Sequence, residues 1–485
     1  MEHRDLNPEE FKKAAYGAAD WITEYLENMN SYPVLARTKP GDVKSNLPKV
    51  PPEKPESLSE IVGDFHKVIV PGITHWNHPR FFAYFSTSSS YAGILGEFLC
   101  SALNVNAMLW RTSPSATELE EVATDWLRQM LGLPDGFDGV INDTASSASL
   151  YAMAAARENA NLEIREKGLA GRPDLPQLRV YASEEAHSSI EKATIVLGLG
   201  QEGLRKIPTD NEFRMKADAL AKALEEDKAK GIKPICIIPT IGTTSTTSID
   251  PVREIADLSR KYGVWLHVDA AYAGAAAMVK EMRHMFDGWE LADSIIVNPH
   301  KWMFTTLDCN VLFCRRPEVL RHAFSLTPEY LRTAEENHVK NLMDYGVSLG
   351  RRFRGLKLWM IIRSLGTEKM ANTIREHVSY AHALEEEIRR NPEFELLAPV
   401  NFSTVVFRFN PHPKDGSRSE ADLNQLNEKL LETVNRTGEV FLSHTKLRGR
   451  FAIRLTIGNL KTTWRDISRA WGLLQRKAHD LSTIL

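Results

Sequence analysis

The sequence predicts an α/β fold with a mostly parallel sheet between helices and a second, smaller α+β unit. Three observations carry that reading. First, five short runs are apolar and β-rich without the alternation of a half-exposed sheet: GVIND (139–143), LRVYAS (178–183), KPICIIPT (233–240), VWLHVD (264–269) and SIIVN (294–298). Second, helical patterns such as MKADALAKALEEDKAKG and PVREIADLSRKYG separate these runs, which makes a βαβ series and puts helices on both faces. Third, the order changes beyond Leu356. A long helical region to about Arg390 is followed by STVVFRFN, a helix near 420–435, GEVFLSH, RFAIRLTIG and a last helix from Thr463.

Taken in order, the elements begin with a helix at Pro8. Asn7 serves as its N-cap, Pro8 takes the first helical position and Glu10 the third, a pattern close to a capping box. Phe11, Ala14, Ala15, Ala18, Trp21, Ile22 and Tyr25 then recur at spacings of three and four, an apolar stripe without an obvious local partner. Either its own core or another subunit must cover it. Six prolines between Pro33 and Pro55 make the next segment an extended connector that wraps over a surface. From about Ala92 to Leu133 the pattern is helical, and TSPSATELEEVATDWLRQMLGLP ends at Gly132 and Pro134.

Composition bounds the function. The chain has 485 residues, more than one core usually organises, so a large domain of roughly 250 residues with smaller ones is expected. Boundaries are placed at 1–90, 91–356 and 357–485. Sixty basic and 63 acidic residues give a net charge of -3, which provides no broad attraction to nucleic acid or anionic membrane. The four cysteines have no C-x-x-C spacing, so reduced thiols in apolar strands are expected and a metal site is not. The first residues lack a signal-peptide core and no run of 18 apolar residues occurs, which predicts a cytoplasmic protein.

In parallel sheets the ligand site lies beyond the carboxyl ends of the strands, so the residues found there carry the chemistry. After GVIND comes Thr144-Ala145-Ser146-Ser147 at a helix start, where backbone amides can hold a phosphate. Ser and Thr cap helices generally, so this signal is weak alone. His187 follows LRVYAS, in a position that also suits a structural cap. The loop IGTTSTTSID follows KPICIIPT without a Lys in P-loop position. Asp269 ends VWLHVD and precedes small residues that leave room for something flat; His267 inside that strand reads as a satisfied core histidine. Lys301 lies between an apolar run and Trp302, where desolvation disfavours ammonium and leaves an amine able to condense with a carbonyl. An amine of that kind, an acid, a stacking imidazole and a phosphate cradle are together what pyridoxal phosphate requires.

The stretches THWNHPRFFAYFSTSSS, TSPSATELE, EEAHSSIEKA, HVDAAYAG, NPHKW, TPEYLRT and LGRRFRGLKLW resemble the aromatic L-amino acid decarboxylases of the pyridoxal-phosphate group II family over nearly the whole length. The resemblance implies fold type I with a seven-stranded sheet, pyridoxal 5'-phosphate as cofactor, and a homodimer with its active site at the interface and N-terminal helices wrapped around the partner. It makes Lys301 the cofactor lysine, Asp269 the partner of the pyridine nitrogen and His187 the ring that stacks on the cofactor. It puts Ala145, Ser146, Asn298 and His300 at the phosphate, Thr244 and Ala271 around the ring, and Trp76, Tyr84 and Phe85 in the substrate pocket. Tyr330 falls where the family's loop tyrosine protonates Cα. Related aldehyde synthases carry Phe at that position, or Asn in place of the stacking His, and release aldehyde, ammonia and peroxide. Tyr330 and His187 therefore favour amine production, with aldehyde synthesis the alternative.

Gly350 falls where plant members carry Gly when they prefer tryptophan and Ser when they prefer tyrosine. Ser86 stands where animal members have Pro, and Asn106 and Met108 replace apolar and aromatic residues contributed by the partner subunit. Tyrosine, phenylalanine and DOPA thus stay open beside tryptophan. A serine hydrolase is disfavoured because no G-x-S-x-G elbow occurs and Lys301 would have no role. A non-catalytic scaffold would be expected to lack Lys301 or Tyr330, and both are present.

Overall fold

The computed structural model describes residues 5–482 apart from 327, 328, 332, 336, 337, 412–417 and the side chain of Tyr330. The first helix spans Pro8–Glu27, and the Asn7 side chain accepts from the Glu9 amide at 2.9 Å. That bond goes to the second helical residue, not to Glu10, so only the Asn7 half of the expected cap is built. Trp21 of this helix stacks on Tyr25 at 5.1 Å and meets the Phe65 ring edge-on. The outer part of the stripe stays open, with Phe11 53% exposed.

The main sheet has seven strands: β1 (Asp138–Asn142), β2 (Leu178–Ser183), β3 (Leu204–Ile207), β4 (Lys233–Ile238), β5 (Trp265–Asp269), β6 (Ser294–Val297) and β7 (Asn310–Cys314). Their order is β1-β7-β6-β5-β4-β2-β3. Pairings among β2 to β6 are parallel, and β7 is antiparallel to both β1 and β6. Six strands therefore point the same way. Val180, Ile237, Val268, Ile295 and Ile296 are fully buried. Each such side chain contributes about 1.5–3 kcal/mol relative to exposure, which explains the continuous apolar runs.

Helices Ala145–Glu158, Ser188–Val196, Ala217–Ala229 and Val252–Tyr262 connect or flank these strands. The region expected to be helical from 92 to 133 is two helices, Tyr91–Leu103 and Pro114–Leu131. The second ends at Gly132, whose φ of 72° is the left-handed C-cap geometry. Helix Arg354–Arg390 runs across the boundary expected at 356/357 and is broken at Gly366, φ 71°. Behind it lies a four-stranded antiparallel sheet, order β10-β11-β9-β8, from β8 (Phe394–Leu396), β9 (Thr404–Phe409), β10 (Ser443–Leu447) and β11 (Arg450–Thr456). Helices Glu420–Arg436 and Trp464–Ser482 pack with it around Phe407, Leu430, Ile453 and Leu474.

The cysteines are all free and buried, but only Cys236 and Cys314 lie in strands. Cys100 is in a helix and Cys309 precedes β7, because apolar burial rather than strand geometry selects them. Among the described residues no helix is long and apolar enough to cross a membrane.

Candidate active site

A cavity of about 510 Å³ opens beyond the carboxyl ends of the parallel strands. Its wall includes Trp76, Tyr84, Phe85, His187, Thr244, Lys301, His444 and Arg454. Segments that follow strands of the large sheet bring His187, Thr244, Ser245 and Lys301, and β10 and β11 close the far side with Ser443, His444, Thr445 and Arg454.

Lys301 sits in a single helical turn, Pro299–Trp302, directly after β6. Trp302 is fully buried beneath it, stacked on Tyr272 at 4.8 Å, and Tyr272 in turn stacks on Phe85 at 3.8 Å. The Lys301 ammonium lies 5.0 Å from the Phe85 ring centre. Burial pulls its pKa down to about 8, Asp269 opposes that shift, and Arg454 adds to it. The free-amine fraction is therefore far above that of an ordinary lysine and rises through mildly alkaline pH.

Asp269 ends β5 and is 5% exposed; its Oδ1 accepts from the Ala271 amide at 3.0 Å. Its charge acts on Lys301 and on His187. His187 is the N-cap of helix Ser188–Val196: its Nδ1 accepts from the Ser189 amide at 3.2 Å and lies 2.8 Å from Ser189 Oγ. Burial lowers its pKa, so the ring is neutral with its proton on Nε2, and the cap holds the ring plane in place. The capping expected of this histidine is thus built, and the same residue lies on the cavity wall.

At the helix starting at Ala145, the Thr144 side chain makes no capping bond. The amides of Ala145 and Ser146 begin the helix with its positive end toward the strand termini. Asn298 is 1% exposed, bonded through its amide oxygen to Asn310 Nδ2, and its Nδ2 lies 3.2 Å from His300 Nε2. Burial and the neighbouring Lys301 lower the His300 pKa to about 3, and its Nδ1 accepts from the Cys309 amide at 2.9 Å. In the loop after β4, Thr243, Thr246 and Ser248 bond one another, which leaves Thr244 facing the cavity. Ala271 is buried between Asp269 and Asn298 and presents only a methyl group.

A chain-wide comparison fits this geometry. A model described as the pyridoxal-dependent decarboxylase conserved domain matches residues 40–410. The chain belongs to this family. It is 41% identical to tryptophan decarboxylase TDC2 of Camptotheca acuminata, over 99% of this chain and 96% of that protein. It is 40% identical to phenylacetaldehyde synthase of a Rosa hybrid cultivar, over 98% and 95%. The solved structure of Oryza sativa TDC with PLP and tryptamine superposes with a TM-score of 0.94 at 36% identity, over 99% of both chains. As a member, the protein is a carbon–carbon lyase that works with pyridoxal 5'-phosphate.

The residues present fit that group. A desolvated amine and an oriented imidazole share one cavity, a buried carboxylate at a strand end acts on both, and the helix starting at Ala145 has no side-chain cap; Asp269, Ala145, Ser146, Ala271, Asn298 and His300 are not themselves wall residues. Not every residue expected in the family's substrate pocket lies on that wall. Asn106, Met108 and Gly350 cluster elsewhere: Asn106 Nδ2 is 3.4 Å from Met108 Sδ, and a Cβ on Gly350 would meet Asn106 Nδ2 at 3.8 Å. Ser86 is 1% exposed, and its hydroxyl has no hydrogen-bond partner. The Tyr330 side chain lies outside the described residues; its backbone is in a short turn, Glu329–Leu331.

Arg454 and His444 are wall residues that sequence reading missed. For Arg454 a signal existed: RFAIRLT places a charged residue inside a strand whose neighbours Ile453 and Leu455 are fully buried.

Proposed function

We propose that this chain decarboxylates aromatic L-amino acids, tryptophan ahead of tyrosine, phenylalanine and DOPA, to arylalkylamines and CO2. The observation that carries the reading is the Lys301 amine, lowered to about 8, in one aromatic-walled cavity with His187 and under the charge of Asp269. Bound pyridoxal 5'-phosphate supplies the electron sink for the pair released when the bond from Cα to the carboxylate breaks. Lys301 would hold the cofactor through its amine. Asp269 would keep the cofactor's ring nitrogen protonated, and His187 would stack on the ring. Amides at Ala145 and Ser146, with Asn298 and His300, would hold the phosphate; Thr244 and Ala271 would border the ring.

Trp76, Tyr84 and Phe85 form the aromatic wall for the substrate side chain. Tyr330 delivers a proton to Cα once CO2 has left. Gly350 favours indole over phenol because it leaves space. With Ser86, Asn106 and Met108 it belongs to the substrate pocket, and Asn106 and Met108 reach the site of the other subunit in a homodimer. We read the chain as a cytoplasmic enzyme in three units, 1–90, 91–356 and 357–485.

The relatives include both decarboxylases and aldehyde synthases at nearly equal identity, so residues rather than overall similarity favour the amine. His187 and Tyr330 are those residues. The test is to supply aromatic amino acids to the purified protein and quantify CO2, amine and peroxide together. Equal CO2 and amine without peroxide is the expected result. Peroxide and aldehyde in step with CO2 would assign the synthase reaction instead.

A further inference from the structure

Arg454 is 4% exposed, yet among the described residues it pairs with no carboxylate, and its Nη2 has no hydrogen-bond partner. Its other nitrogens tie together three segments of the cavity wall. Nη1 donates to the Tyr84 carbonyl at 2.7 Å and to Ser443 Oγ at 3.4 Å, and Nε donates to the Ser245 carbonyl at 3.2 Å. The guanidinium carbon lies 4.7 Å from the Phe85 ring centre, the same ring that Lys301 approaches at 5.0 Å.

Two cations that share one ring in a poorly solvated site repel each other more than they would in water. A guanidinium does not give up its proton, so the repulsion is relieved when the lysine becomes an amine. The other charged group that acts on Lys301 is Asp269, which draws the opposite way; the nearby imidazoles of His187 and His300 are held toward the neutral form by burial.

We propose that Arg454 is a positioning residue for cofactor uptake: it clamps Tyr84 and Phe85 against Lys301, and its guanidinium, on the same Phe85 ring, disfavours a second cation at Lys301. This rests on Lys301 being the lysine that takes up the cofactor. The two roles separate by substitution. Arg454→Gln removes the charge and keeps a donor, whereas Arg454→Lys keeps the charge and loses the three-way clamp.

The experiment strips the cofactor from the full-length protein and follows the rate of pyridoxal phosphate uptake, by the visible absorbance of the bound form, from neutral to alkaline pH. Titrations of the free aldehyde are common to all variants, so differences in midpoint report on the protein. Arg454→Gln is expected to move the midpoint up by about one pH unit. Arg454→Lys is expected to keep the wild-type midpoint but raise KM for the aromatic substrate about tenfold. An unchanged midpoint in a folded Arg454→Gln overturns the charge role, and a wild-type KM in Arg454→Lys overturns the clamp. If Arg454→Gln does not fold, Arg454→Met is compared with Arg454→Lys, and overlapping profiles overturn the charge role. Lys301→Ala guards the underlying reading. If it still gains the visible band, that reading fails and the Arg454 proposal with it; if the band is lost while the Arg454 profiles are unchanged, only the Arg454 proposal fails.

Discussion

At the scale of single residues, the proposed chemistry divides between a group that holds the cofactor and a group that finishes the reaction. Lys301 belongs to the first, and Tyr330 is proposed for the second. Replacing Tyr330 by Phe removes a hydroxyl proton and keeps Lys301. Cofactor absorbance should therefore stay as in the wild type, while amine falls at least about tenfold and aldehyde with peroxide rises. Unaltered amine yield in Tyr330→Phe would remove that tyrosine from the mechanism. Gly350 gives a second prediction at this scale. A Cβ there meets only Asn106 Nδ2, at ordinary contact distance, so Gly350→Ser should fold normally. The ratio of kcat/KM for tryptophan over tyrosine should drop about tenfold or more, as expected when an indole loses room and a phenol gains a polar neighbour. A ratio that does not move would show that indole selection lies elsewhere on the wall.

Elements explain why some of this was readable in the chain. β2, β4, β5 and β6 are buried on both faces, and such strands appear as unbroken apolar runs. The residues that follow β2, β5 and β6 could be listed as chemistry before any coordinate was known. β3 was missed because LRKI has two basic residues and lies at the sheet edge. β7 follows the Lys301 turn closely and runs antiparallel, so no helical pattern precedes it to mark a βαβ step. Arg454 was missed for a related reason: the small sheet was read for its pattern and not for the face it turns to the cavity. His187 shows how an element can hide a role. It caps helix Ser188–Val196 and also faces the cavity, so capping and chemistry leave the same mark in sequence. Asparagine caps at least as well, hence His187→Asn should cost less than about 1 kcal/mol of stability. It should nevertheless lose amine yield and gain peroxide, because the imidazole is gone. A large fall in melting temperature with unchanged product ratio would make His187 a cap and nothing more.

For the whole molecule, the question is what covers the surface that one protomer leaves open. A groove of about 640 Å³ between helix Pro8–Glu27 and residues 58–66 is lined by Ala14, Gly17, Ala18, Trp21, Ile22 and Val62. Phe11 stands 53% exposed on the same helix, and on helix Tyr91–Leu103 Phe98 and Leu103 are 53% and 58% exposed. Apolar area of that extent marks an interaction surface, and the proposed occupant is a second copy of the chain. The same assembly would use Asn106 and Met108, which sit away from the cavity of their own protomer. The double variant Gly17→Glu with Phe11→Lys tests this without damaging the protomer. A Cβ at Gly17 meets nothing within 4 Å, Glu is a better helix former than Gly, and Phe11 is already in contact with water. In a dimer, both charges would be buried against apolar groups, and association should weaken at least about a hundredfold. Sedimentation should then show monomer at concentrations where the wild type is dimeric, with unchanged circular dichroism and lost turnover, because each cavity would lack the residues its partner brings. A dimeric variant with full activity would place the interface on another face. A monomer with full activity would show that one protomer's cavity is sufficient, and Asn106 and Met108 would then have no part in the substrate pocket.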